Sequence, residues 1–173
     1  MYHDDDGFYE RNGEEIGFVI SVMSGEQDRI DIAQAAAQQL QEIGINCTVD
    51  IPAQMDWGGQ MACLIGWGSP FDADDHTYKV FGTDKGANYS GYSNEKVDEY
   101  LTLARQYEDQ ETRAKYYDLF QEELAKDPAY AFICYIDANY VADSDIKGIS
   151  EKTVLGHHGV GIFWNIQEWE IVK

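Results

Sequence analysis

Basic residues are scarce: 12 Lys and Arg stand against 32 Asp and Glu, a formal net charge of −20 over 173 residues. A chain so acidic is repelled by polyanions, so no nucleic-acid partner is expected and an anionic bilayer is an unfavourable surface for it. Cysteine is rarer still. Cys47, Cys63 and Cys134 are odd in number and lack CxxC spacing, which rules against a complete disulfide framework or a zinc knuckle. Each sits in apolar, strand-like sequence and reads as a small core residue. No apolar run approaches the ~18 residues of a membrane span. Met1 is followed by His3-Asp4-Asp5-Asp6 rather than by a basic and apolar leader, leaving a cytoplasmic chain or an excised piece of an exported one. The acidic triplet does not open an EF-hand loop, because Gly13 stands where the closing glutamate belongs. Also missing are GxSxG, the P-loop, GxGxxG and HExxH.

What is present suffices for one domain with a core, since 44% of the residues are hydrophobic. The turn dipeptides Asp6-Gly7 and Asn12-Gly13 predict a tight loop and hairpin at the start. Ile16 to Met23 reads as a strand. Ser24 with Gln27 offers a capping box for a helix whose face carries Ile32, Ala33, Ala36, Leu40 and Ile43, ended by Gly44. Ile45 to Ile51 alternates apolar and polar residues as a half-buried strand does, which makes a βαβ unit with parallel strands. Pro52 to Gly59 is loop, and Met61 to Ile65 is a third strand. Two further helices are predicted, one from Ser93 or Asn94 repeating Val97, Leu101 and Ala104. The other runs from Asp109 through Tyr116, Phe120 and Leu124 to Asp127-Pro128, and the two form a helical hairpin. Ala131 to Ile136 reads as a buried strand, Tyr140 to Ala142 as its possible partner, and Phe163 to Val172 as a last strand. The expected architecture is α/β, a mixed sheet flanked by helices.

The stretch densest in ligand-recognising side chains is Gly66 to Asn94, GWGSPFDADDHTYKVFGTDKGANYSGYSN. Trp67 follows the apolar run Ala62 to Ile65, at the carboxyl end of the third strand, where open α/β sheets hold ligands. Pro70 rules out a continuing ladder. Asp72, Asp74, Asp75 and His76 then read either as a site or as the capped start of a helix. Tyr89 and Tyr92 stand among Asn88, Ser90, Gly91 and Asn94, a composition suited to polar contacts or to a loop tethered by buried rings.

In this order, the DG and NG turns, IAQAAAQQLQEIGINCTVDI, GWGSPFDADDHTYKVF, NYSGYSNEKVDEYLTLAR, the Arg113-Tyr116-Tyr117 helix and IKGIS resemble the C-terminal lobe of family 5 extracellular solute-binding proteins, the peptide/nickel receptors of ABC importers. The resemblance spans most of the chain. It implies one lobe of a type II periplasmic-binding-protein-like fold, residues 1–173 being an excised single-domain fragment. It also implies a bilobal extracytoplasmic receptor, periplasmic or lipid-anchored, that closes on an oligopeptide, nickel chelate or similar small solute and presents it to an ABC permease in the membrane. The partners implied are that solute, the missing N-terminal lobe and the permease, with no cofactor and no resident metal.

The ligand contacts carried over are Trp67, Asp72, Asp74, His76, Tyr89 and Tyr92, with no catalytic residue. One departure bears on substrate class: peptide-binding members often carry an Asp three residues after the Trp, to pair with the ligand's ammonium, and here that position is Pro70. GSPFD is more similar to the nickel-type and other non-peptide members. The alternative is a small acidic metal-dependent hydrolase using Asp72, Asp75 and His76 as acid/base or metal ligands. His157-His158 is a weaker metal candidate, since adjacent rings rarely aim at one ion.

Overall fold

A computed structural model describes residues 2–3, 7–68, 72–137, 139–150 and 157–172. The chain divides at Gly66 into two units, Met1–Gly66 and Trp67–Lys173, where length alone suggested one domain.

In the first unit, β1 (Tyr2–His3), β2 (Tyr9–Arg11) and β3 (Glu14–Glu15) form an antiparallel meander. Its second turn is the predicted Asn12-Gly13, with φ of 59° and 80°. Both values are positive, as the primed two-residue hairpin turn requires. The βαβ unit follows, with β4 (Gly17–Ser21), α1 (Gln27–Glu42) and β5 (Asn46–Asp50). β4 and β5 are parallel neighbours in register from Gly17 opposite Asn46 to Ser21 opposite Asp50. β6 (Ala62–Cys63) adds parallel to the other edge of β4, giving the order β5-β4-β6. Gly17 is needed there because a Cβ would collide with the carbonyl oxygen of Asn46.

α1 buries Ile30 and Ala33 against Val22 and the sheet residues Ile20 and Val49, and Ala37 is buried on the same helix. The predicted face is thus turned slightly: Ile32, Ala36 and Leu40 are half-buried and Ile43 is exposed. The expected capping box does not form. The residue before the helix is Glu26, with no side-chain cap, because Ser24 lies two residues too early. The C-terminus is as expected. Gly44 has φ of 84°, its N–H donates to the Gln41 carbonyl at 3.0 Å and that of Ile45 to Leu40 at 2.9 Å, a Schellman closure.

The second unit holds α2 (Asp74–Phe81), α3 (Glu95–Ala104) and α4 (Gln110–Leu124). The α3 and α4 starts are capped by Asn94, which accepts from the N–H groups of Lys96 and Val97, and by Asp109, which accepts from Thr112. Val97, Leu101, Phe120 and Leu124 make one buried cluster between the two helices, and Tyr78, Phe81 and Tyr92 pack on it. At ~1.5–3 kcal/mol per fully buried side chain, this cluster is the main anchor of the unit.

Three predicted strands differ from what is observed. Residues 131–136 are irregular and exposed, with Phe132 69% and Tyr135 102% accessible. Tyr140–Ala142 does not pair with them; Val141 is 99% exposed. The apolar run implied burial, but no element of the described residues covers it. Cys134 is correspondingly exposed and Cys63 half-buried, while Cys47 is buried as expected. Phe163–Val172 is 3-10 turns over His157–Glu168 followed by a short strand, β8 (Glu170–Ile171), antiparallel to β7 (Ile146–Lys147). Gly148, with φ of 86°, lets the chain pass against the Glu168 carbonyl. Parallel and antiparallel pairings are both present, in separate small sheets.

Candidate functional site

The first turn of α2 is held by charge. Asp72 Oδ1 accepts the Asp74 N–H at 2.8 Å, an Asx-type turn, and Asp74 and Asp75 place carboxylates in the first helical turn, where the peptide dipoles are positive. Two arginines of the α3–α4 hairpin converge on this turn. Arg113 Nη1 and Nη2 donate to Asp72 Oδ2 and Oδ1 at 3.0 and 2.7 Å. Arg105 Nε, at the end of α3, lies 3.2 Å from Asp74 Oδ2, and its guanidinium sits 4.0 Å from the centroid of the Tyr78 ring. The Arg113 fork, and next the Asp74 N–H, hold the Asp72 carboxyl below the usual carboxylate range.

Within α2, His76 is buried and its Nε2 lies 3.7 Å from Asp75 Oδ2. Its ring meets Trp67, with centroids 5.4 Å apart. Trp67 also stacks on Tyr89, 6.2 Å away and only 9° from parallel, while remaining 40% exposed. The loop carrying Tyr89 is pinned by Asn88, whose Nδ2 donates to the carbonyls of Gly82 and Tyr92 at 2.9 and 2.7 Å and whose Oδ1 accepts the Tyr92 N–H.

The six sequence candidates therefore separate by environment. Trp67, His76 and Tyr89 form one partly exposed aromatic cluster. Asp72 and Asp74 are engaged by arginines. Tyr92 packs on the α3–α4 core, and burial pushes its phenol up. Asp75 pairs with Lys79 at 3.2 Å. Ser69, Pro70 and Phe71, and the side chains of His157 and His158, lie outside the described residues. Among the described residues no three His, Cys, Asp or Glu side chains converge as metal ligands.

Two features were not legible as site residues. Arg113 is separated from Asp72 by 41 positions, and only the packing of α4 reveals the pair. In the first unit, a cavity of about 190 Å³ at the carboxyl ends of β4 and β5 is lined by Ser21, Asp50 and the 52–60 segment, including Gln54, Asp56 and Gln60. The strand-end rule that drew attention to Trp67 applies equally there.

No family model matches the chain. It is 25% identical over 182 residues to the oligopeptide-binding protein AppA of Bacillus subtilis, covering 97% of this chain and 32% of that protein. It is 31% identical over 153 residues to protein XP55 of Streptomyces lividans, covering 84% of this chain and 28% of that one. The crystal structure of NikZ from Campylobacter jejuni in complex with Ni(L-His) superposes with a TM-score of 0.78 at 36% identity, over 98% of this chain and 36% of that one. AppA of Bacillus subtilis in complex with a nonapeptide superposes with a TM-score of 0.70 at 22% identity, a likeness of fold. The chain thus has the periplasmic-binding-protein fold and spans about a third of the length of the relatives it matches. Alike in sequence and in fold along nearly its whole length, the chain matches family 5 solute-binding proteins over about a third of their length.

Proposed function

We propose that the chain is the C-terminal lobe of a bilobal extracytoplasmic receptor that captures a small solute and delivers it to an ABC permease. The observation that carries this is the Trp67–His76–Tyr89 cluster. It sets the partly exposed rings of Trp67 and Tyr89 over the buried imidazole of His76, in a chain 36% identical to NikZ, which was solved with Ni(L-His). Two partly exposed aromatic rings suit a flat solute carrying an imidazole or aromatic group. A metal–amino acid chelate is therefore the first class to test, and a peptide the second, since AppA was solved with a nonapeptide.

The arrangement favours binding over turnover. Asp72 and Asp75, the acid/base candidates of a hydrolase, are occupied by Arg113 and Lys79. An open aromatic surface suits half of a cleft, whose other half comes from the remaining two thirds of a receptor the size of the relatives.

The test is calorimetry of the nickel–histidine complex and of a nonapeptide against the 173-residue chain and against the longer protein containing it. The longer protein should bind one of them with micromolar or tighter affinity, and the chain alone weakly or not at all, because removing one wall of a cleft exposes about half of the ligand's buried surface. Equal micromolar affinity for both proteins would overturn the bilobal reading.

A further inference from the structure

We infer that Arg113 and Arg105 are positioning residues for the solute surface: they grip the first turn of α2 through Asp72 and Asp74 and so hold His76 against Trp67. The role assigned to them rests on the proposal that the Trp67 cluster faces solute. Asp72 and Asp74 then act as the gripped groups, not as ligand contacts.

α2 is eight residues long, below the length at which a helix holds itself in water, so its position must come from outside contacts. Its C-terminal half has them in apolar form: Val80 is buried, and Phe81 meets Phe120 with ring centroids 5.3 Å apart. The N-terminal turn has no side-chain cap from Ala73, the residue that precedes it. What ties that turn to the α3–α4 hairpin is ionic. Arg113 makes a two-pronged contact with Asp72, and its side chain is only 16% exposed, so the fork is held by its surroundings. Arg105 adds the Asp74 contact and sits over the ring of Tyr78, one helical turn further along.

The fork geometry decides which substitution matters. Two parallel N–H donors fix both the distance and the plane of a carboxylate, whereas an ammonium fixes distance alone. His76 lies four residues beyond Asp72 and two beyond Asp74, so a rotation of this turn displaces its ring from Trp67. Neither pair is deeply buried; such pairs contribute little to global stability and act chiefly on local geometry.

The experiment uses the 15N-labelled 173-residue chain and reads the Trp67 indole N–H resonance, assigned by its loss in Trp67→Phe, together with amide exchange in α2. Arg113→Ala and Arg105→Ala should each move the Trp67 resonance and speed exchange of the α2 amides by about two- to fivefold. Arg113→Lys should fall between wild type and Arg113→Ala, and Asp72→Asn should add nothing in the Arg113→Ala background. Lys115→Ala, which breaks the Lys115–Glu111 pair on the same helix, should change neither signal. Unmoved Trp67 resonance and unchanged α2 exchange in both arginine variants, or additive effects of Arg113→Ala and Asp72→Asn, would overturn the inference. These signals need no solute. They therefore fail independently of the function reading, which the calorimetry of the longer protein tests.

Discussion

Trp67 and Tyr89 lie 22 residues apart in sequence and stack 9° from parallel, with centroids 6.2 Å apart, while Trp67 keeps 40% of its surface open. An aromatic pair of this kind adds ~0.5–1.5 kcal/mol beyond simple burial. Tyr89→Ala should therefore lower the stability of the chain by at least that amount, and by more than Tyr89→Phe, which keeps the ring. Urea titration followed by circular dichroism measures both. A loss several times larger for Tyr89→Ala would place Tyr89 in the core.

The α3–α4 cluster should behave in the opposite way. Leu101 is 1% exposed between Val97, Phe120 and Leu124. Leu101→Ala should cost ~2–5 kcal/mol, the sum of lost transfer energy and a residual cavity. Asn94→Ala, which strips the α3 cap, should cost ~1 kcal/mol, and Asn94→Gly only a few tenths. The same titration orders the three.

The Asp72 latch predicts a definite dependence on pH. Its carboxyl is held low in the folded chain, first by Arg113 and then by the Asp74 N–H. A depressed folded value stabilises fully above the unfolded value of ~3.9, and the contribution is lost as pH falls through the folded value. Asp72→Asn should therefore melt below wild type at pH 7, and the gap should close below about pH 4. Comparing the two proteins removes the common effect of the −20 charge, which all other carboxylates share. No gap at pH 7 would mean that Asp72 acts only as a turn acceptor, a role Asn keeps, and a gap that persists unchanged in acid would contradict the ionic latch.

Phe132, Ile133, Tyr135, Ile136 and Val141 are all exposed within ten residues, an apolar strip of a kind that rarely faces water on a monomer. The isolated chain should bind a hydrophobic dye and self-associate as its concentration rises. Ile133→Asp with Tyr135→Asp should abolish both without lowering the melting temperature. Sedimentation velocity across a hundredfold concentration range reads the outcome; a concentration-independent monomer would show that the strip is covered.

Local rules carried the helices and the βαβ unit well, because their signals lie within one element. Asn94 and Asp109 cap as their residue types suggest, and Gly44 closes α1 through its own backbone. The failures have a different origin. The run from Ala131 to Ile136 is as apolar as a buried strand, but burial depends on a partner, which local sequence cannot supply. Phe163 to Glu168 carries strand-like residues yet winds into 3-10 turns, where Asn165 donates to the Gly148 carbonyl at 2.7 Å and accepts from the Trp169 indole at 3.1 Å. The Gly148 contact reaches a separate segment of the chain, which propensity cannot supply. The site was legible in part for the same reason. Trp67, His76 and Tyr89 lie in one dense stretch, whereas Arg105 and Arg113 belong to it only through packing.

The central claim is that the Trp67 face meets solute, and replacing Trp67 in the longer receptor tests it most directly. Calorimetry with the nickel–histidine complex, or with the nonapeptide if that is what binds, should show Trp67→Ala weakened by about tenfold or more, the loss of an aromatic contact worth ~1.4 kcal/mol or above. The melting temperature of the unliganded protein should change little, because Trp67 is already 40% exposed. If the melting temperature falls steeply while affinity is retained, Trp67 is a core residue and the solute binds elsewhere.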